Sequence, residues 1–304
     1  MSDPTPLEPA PQTISAGREI WLKREDAHEL GAFKWRGALP TLERYLAEGA
    51  SAVVTASTGN HGAATAWAAK RLGLDAIVYV PRGASEVKLD RLRQLGADLR
   101  LEGSDLDEAK ELGLARAAEQ GLPFFEDGAD PTQYDGYGAI GDELLDQLDQ
   151  PPAAVVVPVG NGALLGGVGG AILRRSPESL RVGVVAAAAP VMADSWDAGR
   201  PVTSFRSNTF ADGLAVRVAI PYAVGVLNEV ATHMLRVSER DLAAGVAALD
   251  DAGIRAEGAA AAGPAALPQL PDDLDGPIVL VVTGRNIDDA LLETARSSTA
   301  SFPA

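Results

Sequence analysis

Lys34 has the sequence context in this chain that best suits a nucleophilic amine. It is one of five lysines, and it lies between Phe33 and Trp35 at the start of a predicted helix. Partial burial and the positive end of a helix dipole both favour the neutral amine, which attacks carbonyl carbons to form imines. The alternative is a lysine whose methylene chain covers apolar surface. Its role therefore depends on the groups that accompany it.

One turn brings hydroxyl, amide and imidazole side chains together between an apolar run and an Ala-rich helical run. Its residues are Ser57, Thr58, Gly59, Asn60 and His61. A strand-to-helix turn presents backbone N–H groups at the positive end of the helix, where a carboxylate or a phosphate binds. Ser, Thr and Asn are also common helix N-caps, so a plain capped turn is the alternative.

A second turn of small residues, PVGNGAL at 158–164, also follows an apolar run and precedes a helical run. Small residues let the backbone approach an anion closely, and the helix adds its dipole. A dinucleotide loop would need a third glycine where this chain has Leu165. The loop therefore predicts a small phosphate site in preference to an NAD site.

Thr283 ends a third apolar run and is followed by Gly284, Arg285 and Asn286. Its neutral hydroxyl can hydrogen-bond to a ligand at the carboxyl end of a strand or, alternatively, cap the helix that follows. Other catalytic chemistry has little support, because the three histidines lack metal-ligand spacing and the chain has no cysteine.

The elements that must position these residues form an alternating pattern. Short β-rich runs alternate with Ala- and Leu-rich segments of helical period, which predicts an α/β fold with mostly parallel sheets. The predicted strands are residues 20–23, 52–55, 76–80, 98–101, 154–158, 182–186, 234–237 and 278–283. The predicted helices are residues 63–72, 86–95, 106–120, 240–250 and 287–295.

Residues 153–173 carry no charge, but Pro158, Asn161 and six glycines indicate strand, loop and helix, not a membrane span.

Composition excludes several classes of function. A formal charge of −16 and a pI of about 4.6 disfavour binding to nucleic acid or to an anionic membrane surface, so a small molecule is the expected partner. The lack of cysteine favours the cytoplasm. The first twelve residues are acidic and Pro-rich and do not resemble a signal peptide, so they are predicted to form a frayed arm.

Four segments in order resemble the fold-type II pyridoxal 5′-phosphate (PLP) enzymes, specifically the threonine/serine dehydratase and serine racemase family. The family motif Ser-Phe-Lys-x-Arg-Gly-Ala is matched by AFKWRGA at 32–38, and Ser-x-Gly-Asn-His by STGNH at 57–61. The glycine-rich phosphate loop is matched by GNGA at 160–163, and Ser-Gly-Gly-Asn by TGRN at 283–286. The chain departs from these motifs at Ala32, Asn161, Ala163 and Arg285.

The resemblance implies a cofactor site. Lys34 would hold PLP through an imine, Phe33 would pack near its ring, and Asn60 would bond its 3′-oxygen. Thr283 would face the pyridine nitrogen. The cofactor's phosphate would bind the backbone N–H groups of Gly160, Asn161, Gly162, Ala163 and Leu164.

The resemblance also implies a reaction, the β-elimination of a small hydroxy-amino acid such as L-threonine or L-serine to a 2-oxo acid and ammonia. Lys34 would remove the α-proton, and residues 57–61 would bind the substrate carboxylate. Family dehydratases commonly have alanine at the position of Thr58 and racemases have serine, so a racemase is the first alternative. A β-replacement enzyme like threonine synthase and a catalytically silent ligand-binding protein are the others.

The implied architecture is tryptophan synthase β-like, with two open twisted parallel-sheet domains and the cofactor in the cleft. Residues 50–135 would form a small domain inserted in a large domain made of residues 1–49 and 136–304. Most family members are dimers, so a homodimer is expected. A divalent cation near Asp212 is left open.

Overall fold

The computed structural model describes residues 3–15, 17–204 and 207–304. The strands are β1 (Leu7–Pro9), β2 (Ile20–Arg24), β3 (Ala52–Ala56), β4 (Asp75–Val80), β5 (Asp98–Leu101), β6 (Ala154–Pro158), β7 (Leu180–Ala186), β8 (His233–Val237) and β9 (Ile278–Val282). The helices are α1 (Gln12–Ser15), α2 (Trp35–Ala47), α3 (Asn60–Leu72), α4 (Glu86–Gln94), α5 (Leu106–Gln120), α6 (Pro131–Gln147), α7 (Ala163–Arg175), α8 (Val191–Asp197), α9 (Pro221–Val230), α10 (Glu239–Asp251), α11 (Ala262–Ala266) and α12 (Asp289–Ser297). Short 3₁₀ helices lie at Glu25–Ala27, Asp212–Leu214, Leu267–Gln269 and Thr299–Ser301.

The larger sheet has the strand order β1-β2-β9-β6-β7-β8. Its strands run parallel except β1, which pairs antiparallel with β2. Every residue of β6 and β9 is buried, and the two strands pair directly, with Val156 beside Leu280. Continuous apolar runs of this kind are typical of parallel sheets that are covered on both faces. The predicted α/β class is confirmed.

The uncharged stretch at 153–173 folds as the sequence pattern predicts, with β6 leading through a short loop into α7. Within the described ranges, no helix is both long and apolar enough to cross a membrane.

Helix α10 begins with a capping box in which Ser238 and Asp241 each bond to the other's backbone N–H.

The prediction of a frayed N-terminal arm is wrong. Residues Leu7–Pro9 form an edge strand, where the missing N–H of a proline costs no ladder hydrogen bond. Thr5 is buried, and its carbonyl accepts a hydrogen bond of 2.8 Å from Nζ of the fully buried Lys23. The same Nζ donates to the Glu143 carboxylate at 2.7 Å. The buried ammonium of Lys23 needs both acceptors, because an unsatisfied buried charge has a large desolvation cost. Its bond to the Thr5 carbonyl therefore fixes the N-terminal segment.

Two compact units make up the described chain. One is Lys34–Gly136, and the other consists of the residues before and after it. Within Lys34–Gly136, the parallel sheet has the order β3-β4-β5, and α2 packs on α3. The assignment of residues 50–135 to a small domain and of 1–49 with 136–304 to a large one stays a prediction.

Helices α2 and α6 meet at a point where only glycine fits. Pro40 has no N–H to donate to the Arg36 carbonyl one turn earlier in α2. A Cβ on Gly136 would lie 2.0 Å from that carbonyl oxygen and 3.1 Å from the Cα of Gly37. The small residue therefore allows the two backbones to approach this closely.

Gly136→Ala is expected to lower the free energy of unfolding by about 2 kcal/mol or more, because the backbone contact cannot relax by a side-chain movement. Urea unfolding followed by circular dichroism measures it. Gly138→Ala is the matched control, since its Cβ would meet the Gly167 carbonyl at an ordinary 3.5 Å. Equal losses in the two variants would contradict the assigned contact.

Candidate active site

Lys34 lies at the N-cap position of α2, and its amine is held by a carboxylate. Nζ donates a hydrogen bond of 2.6 Å to Oδ2 of Asp127. The two side chains are 15% and 28% exposed, so the ion pair is partly shielded from water. The amine therefore lies beside a carboxylate and not in the wholly apolar setting that the flanking aromatic residues suggested.

Asp127 was missed by the sequence analysis. It follows Phe124 and Phe125, which extend the small sheet beside β3 through a parallel bridge between Val54 and Phe124. The carboxyl ends of neighbouring parallel strands lie at one edge of a sheet. An acidic residue between an apolar pair and Gly128 was therefore the available signal.

The carboxylate of Asp127 is fixed by its neighbours. Nε2 of the fully buried Gln133 donates to Oδ1 of Asp127 at 3.3 Å. Oε1 of the same side chain accepts from the Gly128 N–H at 2.7 Å, which orients the amide. Gly128 has a φ of +89°, a left-handed conformation that favours glycine and turns the chain sharply after Asp127.

Residues 57–61 link β3 to α3 without a side-chain cap. Gly59 is the N-cap residue and makes no side-chain hydrogen bond, while the Ser57 hydroxyl accepts from the Gly59 N–H at 3.1 Å. A Cβ on Gly62 would lie 2.5 Å from the Ser57 carbonyl oxygen, so the turn is tight. The N-cap residue is thus glycine and not Ser, Thr or Asn, while a plain capped turn stays the alternative to a ligand site. The turn presents first-turn N–H groups of α3, as an anion site requires.

The side chains of Asn60 and His61 point to protein groups. Oδ1 of Asn60 accepts from Nη1 of Arg91 at 3.3 Å. Nε2 of His61 lies 3.1 Å from both the Thr55 hydroxyl and the Phe125 carbonyl, and its ring packs on Phe125. His61 is therefore available to a ligand through its backbone N–H and not through its imidazole.

Burial lowers the pKa of His61 below its ordinary value of 6.5, although the nearby Asp127 carboxylate acts in the opposite direction. Its Nδ1 lies 3.7 Å from Oδ1 of Asp127, beyond hydrogen-bond distance. Burial therefore disfavours the charged form of this ring, and the closer contact of the Asp127 carboxylate is with Lys34.

This pKa predicts how acid affects stability. The unfolded chain binds a proton at His61 near pH 6.5, whereas the folded chain keeps this ring neutral to lower pH. Protons therefore favour the unfolded state, and the free energy of unfolding falls as the pH drops below 6.5. We expect a loss of about 1 kcal/mol between pH 7.5 and pH 5.5 that His61→Gln does not show. Parallel urea titrations measure it, with the exposed His233→Gln as control. Equal slopes for wild type and His61→Gln would refute it.

The glycine loop places backbone groups at the start of α7. Gly162 is the N-cap residue with a φ of +96° and no side-chain cap hydrogen bond. Oδ1 of Asn161 accepts from the Ala163 N–H at 3.1 Å, so this departure from the family motif is satisfied locally. A Cβ on Gly160 would lie 2.3 Å from the Gly213 carbonyl oxygen, which packs the loop against the turn that contains Asp212. The apolar side chains of Ala163 and Leu164 are buried and offer a ligand no polar group.

Thr283 follows β9 and lies beside the segment that leads to Lys34. Its carbonyl accepts from the Phe33 N–H at 3.1 Å, and Gly284 forms a bridge with Ala32. Thr283 is 2% exposed, and among the described residues its hydroxyl oxygen has no hydrogen-bond partner. A buried hydroxyl without a partner costs about 1 to 3 kcal/mol, so a ligand atom is the natural partner. The alternative of a helix cap is wrong, because Asp288 caps α12.

The remaining predicted residues have clear positions. Phe33 is buried, and its ring packs edge-on against the ring of Tyr137, with the two ring centroids 5.1 Å apart. Nη1 of Arg285 donates to the Asp26 carbonyl at 2.6 Å, which ties this unusual arginine to the protein. Over the described ranges, no group of three His, Cys, Asp or Glu side chains could hold a metal ion, at Asp212 or elsewhere.

Comparison with known proteins gives consistent similarities. A family model described as pyridoxal-phosphate dependent enzyme matches residues 2–284. The chain is 35% identical to an L-threonine ammonia-lyase of Thermotoga maritima, over 91% of this chain and 69% of that protein. It is also 35% identical to an L-threonine ammonia-lyase of Geobacter sulfurreducens, over 90% of this chain and 68% of that protein.

Solved structures show the same fold. The processed form of threonine deaminase isoform 2 from Solanum lycopersicum is similar with a TM-score of 0.91 and 29% identity, over 99% of this chain and 89% of that one. Maize serine racemase is similar with a TM-score of 0.88 and 25% identity, over 98% of this chain and 93% of that one.

Proposed function

This chain belongs to the family of pyridoxal-phosphate dependent enzymes, and we propose that it is an ammonia-lyase that acts on L-threonine, L-serine or a related small hydroxy-amino acid. It would eliminate the β-hydroxyl group, and hydrolysis of the released enamine would give a 2-oxo acid and ammonia. The observation that carries the proposal is the similarity to two L-threonine ammonia-lyases over nine-tenths of the chain. PLP is its cofactor, and when bound it withdraws electrons from the substrate's α-carbon.

Each of the two units carries residues that suit this cofactor. The buried hydroxyl of Thr283, which has no partner among the described residues, suits the pyridine nitrogen. A neutral hydroxyl, unlike an aspartate, leaves that nitrogen largely unprotonated, which favours elimination over transamination. Lys34 would supply the amine, and the start of α7, where the N-cap residue Gly162 has no side chain, would supply N–H groups for the phosphate. In this proposal, Phe33 would pack near the ring and Asn60 would bond the 3′-oxygen.

The protein groups would divide the work of the reaction. The turn at residues 57–61 would bind the substrate carboxylate at the positive end of α3 and orient the α-carbon. Lys34 Nζ removes the proton from that carbon and holds it as ammonium.

Thr58 decides between the two leading reactions. Its hydroxyl could exchange a proton on the face of the substrate opposite Lys34, but its β-methyl stiffens the side chain. We expect Thr58→Ala to leave elimination of the L-isomer within roughly tenfold, about 1.4 kcal/mol of barrier, and to abolish any racemisation. Initial rates with L- and D-serine measure both. Loss of L-serine elimination by several orders of magnitude, in a variant that still binds PLP, would make Thr58 itself essential.

An amino-acid racemase is the second candidate, because maize serine racemase is similar over nearly the whole chain and Thr58 keeps a hydroxyl. A panel of L- and D-amino acids with β-hydroxyl or β-amino groups separates the candidates, when 2-oxo acid, ammonia and chirality are measured together. Ammonia with 2-oxo acid supports the lyase, and inversion without ammonia supports the racemase. No turnover despite bound PLP supports β-replacement or a silent binding protein.

The assembly and location follow from the same resemblance. We propose a homodimer in the cytoplasm, as in most family members and in keeping with the absence of cysteine. Light scattering coupled to size-exclusion chromatography tests the dimer, which would have about twice the 31.4 kDa mass of the chain.

A further inference from the structure

Asp127 has no place in the roles assigned above, yet its carboxylate lies in direct contact with the amine of Lys34. The Nζ to Oδ2 distance of 2.6 Å is that of a charge-assisted hydrogen bond. Both groups are more than two-thirds buried, so water screens their attraction less than that of an exposed pair.

The surroundings hold Asp127 in place for this contact. Gln133 is fully buried and donates to the other carboxylate oxygen, while the Gly128 N–H fixes the direction of the Gln133 amide. His61 is the neighbouring ring at 3.7 Å, and burial keeps it neutral, so it does not compete as a cation. A carboxylate fixed in this way favours one form of its partner, the ammonium.

We propose that Asp127 is a positioning residue that stabilises the ammonium form of Lys34, and thereby assists removal of the substrate's α-proton while it slows attachment of PLP. The first effect rests on the proposed function, and the second does not.

The two effects follow from the balance of each step. In α-proton removal, the Cα–H bond breaks, its electron pair stays with the substrate carbon, and a new N–H bond makes Nζ a cation that Asp127 stabilises. In PLP attachment, the ammonium first loses a proton to solvent. The free amine then forms a C=N bond with the aldehyde carbon, whose oxygen leaves as water. Asp127 favours the product of the first step and the reactant of the second.

Asp127→Asn removes the charge and keeps the shape of the side chain, so it separates the two effects. We expect the variant to attach PLP about tenfold faster at subsaturating cofactor, because hydrogen bonds to charged groups contribute on the order of this factor. Borohydride quenching at timed intervals, followed by mass quantification of the pyridoxyl-modified Lys34 peptide, measures the rate. We expect kcat for L-threonine to fall about tenfold, with a larger isotope effect for α-deuterated L-threonine.

Two further variants test the specificity of the contact. Glu126→Gln removes the adjacent charge, which pairs with Lys110, and is expected to leave both rates unchanged. Asp127→Glu keeps a carboxylate and is expected to restore slow attachment at least in part. Circular dichroism and the thermal midpoint establish that each variant is folded.

A damaged fold would slow both steps, whereas the proposal requires opposite changes. PLP attachment at or below the wild-type rate in folded Asp127→Asn would overturn it, and so would an unchanged kcat. If wild-type enzyme turns over no amino acid, the proposed function fails, while the attachment rate still decides whether Asp127 holds Lys34 as ammonium.

Discussion

Lys34→Ala loses the visible absorption of bound PLP and its β-elimination activity together. We expect activity to fall by at least about 10⁴-fold, because one change removes the amine that holds the cofactor and the base that takes the α-proton. The variant leaves the Asp127 carboxylate, which is 28% exposed, without its cation, so circular dichroism establishes that it is folded. Dialysed protein is measured by absorbance and by 2-oxo acid release.

The control for Lys34→Ala is Lys70→Ala, which removes an exposed lysine in the last turn of α3. It is expected to keep both absorbance and activity. A bond to PLP that borohydride still reduces in dialysed Lys34→Ala would assign the cofactor to another lysine.

Gly162→Ala is expected to weaken PLP binding at least tenfold. Alanine at a φ of +96° carries a backbone strain on the order of 1 to 3 kcal/mol, and its Cβ would lie 2.9 Å from Leu227 and 3.0 Å from Met192. Relief of that strain turns the N–H groups of the loop away from the phosphate. Titration of cofactor-free protein with PLP measures the dissociation constant.

Gly170→Ala provides the matched control in α7, because its Cβ would meet the end of the flexible Arg174 side chain at 3.6 Å. It should leave PLP affinity unchanged. A folded Gly162→Ala with wild-type affinity would remove this loop from the phosphate site.

Local patterns predicted the strands and turns that carry the site. The apolar runs of β6 and β9 are unambiguous because both strands are buried on both faces, and the turns after them are marked by small residues. The end of β9 was predicted one residue too far, at Thr283; the strand ends at Val282, and Gly284 then pairs with Ala32.

Features that depend on distant partners were not predictable in this way. Asp127 and Lys34 are 93 residues apart, and only the fold brings them together. Helix α2 was not bounded in the sequence because Gly37 and Pro40 interrupt its pattern. Helix α6 was missed because it contains three glycines, of which Gly136 and Gly141 pack closely against other backbone. The N-terminal strand was missed because its stability comes from the buried charge of Lys23, which lies outside that segment.

The departures from the family motifs have structural explanations at two positions. Asn161 caps the Ala163 N–H with its own side chain, so the loop keeps its shape without a glycine there. Arg285 bonds to the Asp26 carbonyl, and its backbone N–H bonds to the Gly31 carbonyl, so the larger side chain is accommodated beside the segment that leads to Lys34. The Asn161 side chain does take up the Ala163 N–H, so a cofactor phosphate would compete with it for that one donor of the loop.

The most direct test of the central claim is the stoichiometry of L-threonine turnover by PLP-loaded enzyme. Consumed threonine, 2-oxobutanoate, ammonia and the configuration of the remaining amino acid are measured in the same samples over time. An ammonia-lyase gives one 2-oxobutanoate and one ammonia for each L-threonine consumed, and the remainder stays L-threonine. Accumulation of D-allo-threonine without ammonia, or consumption of threonine without 2-oxobutanoate, would contradict the assignment.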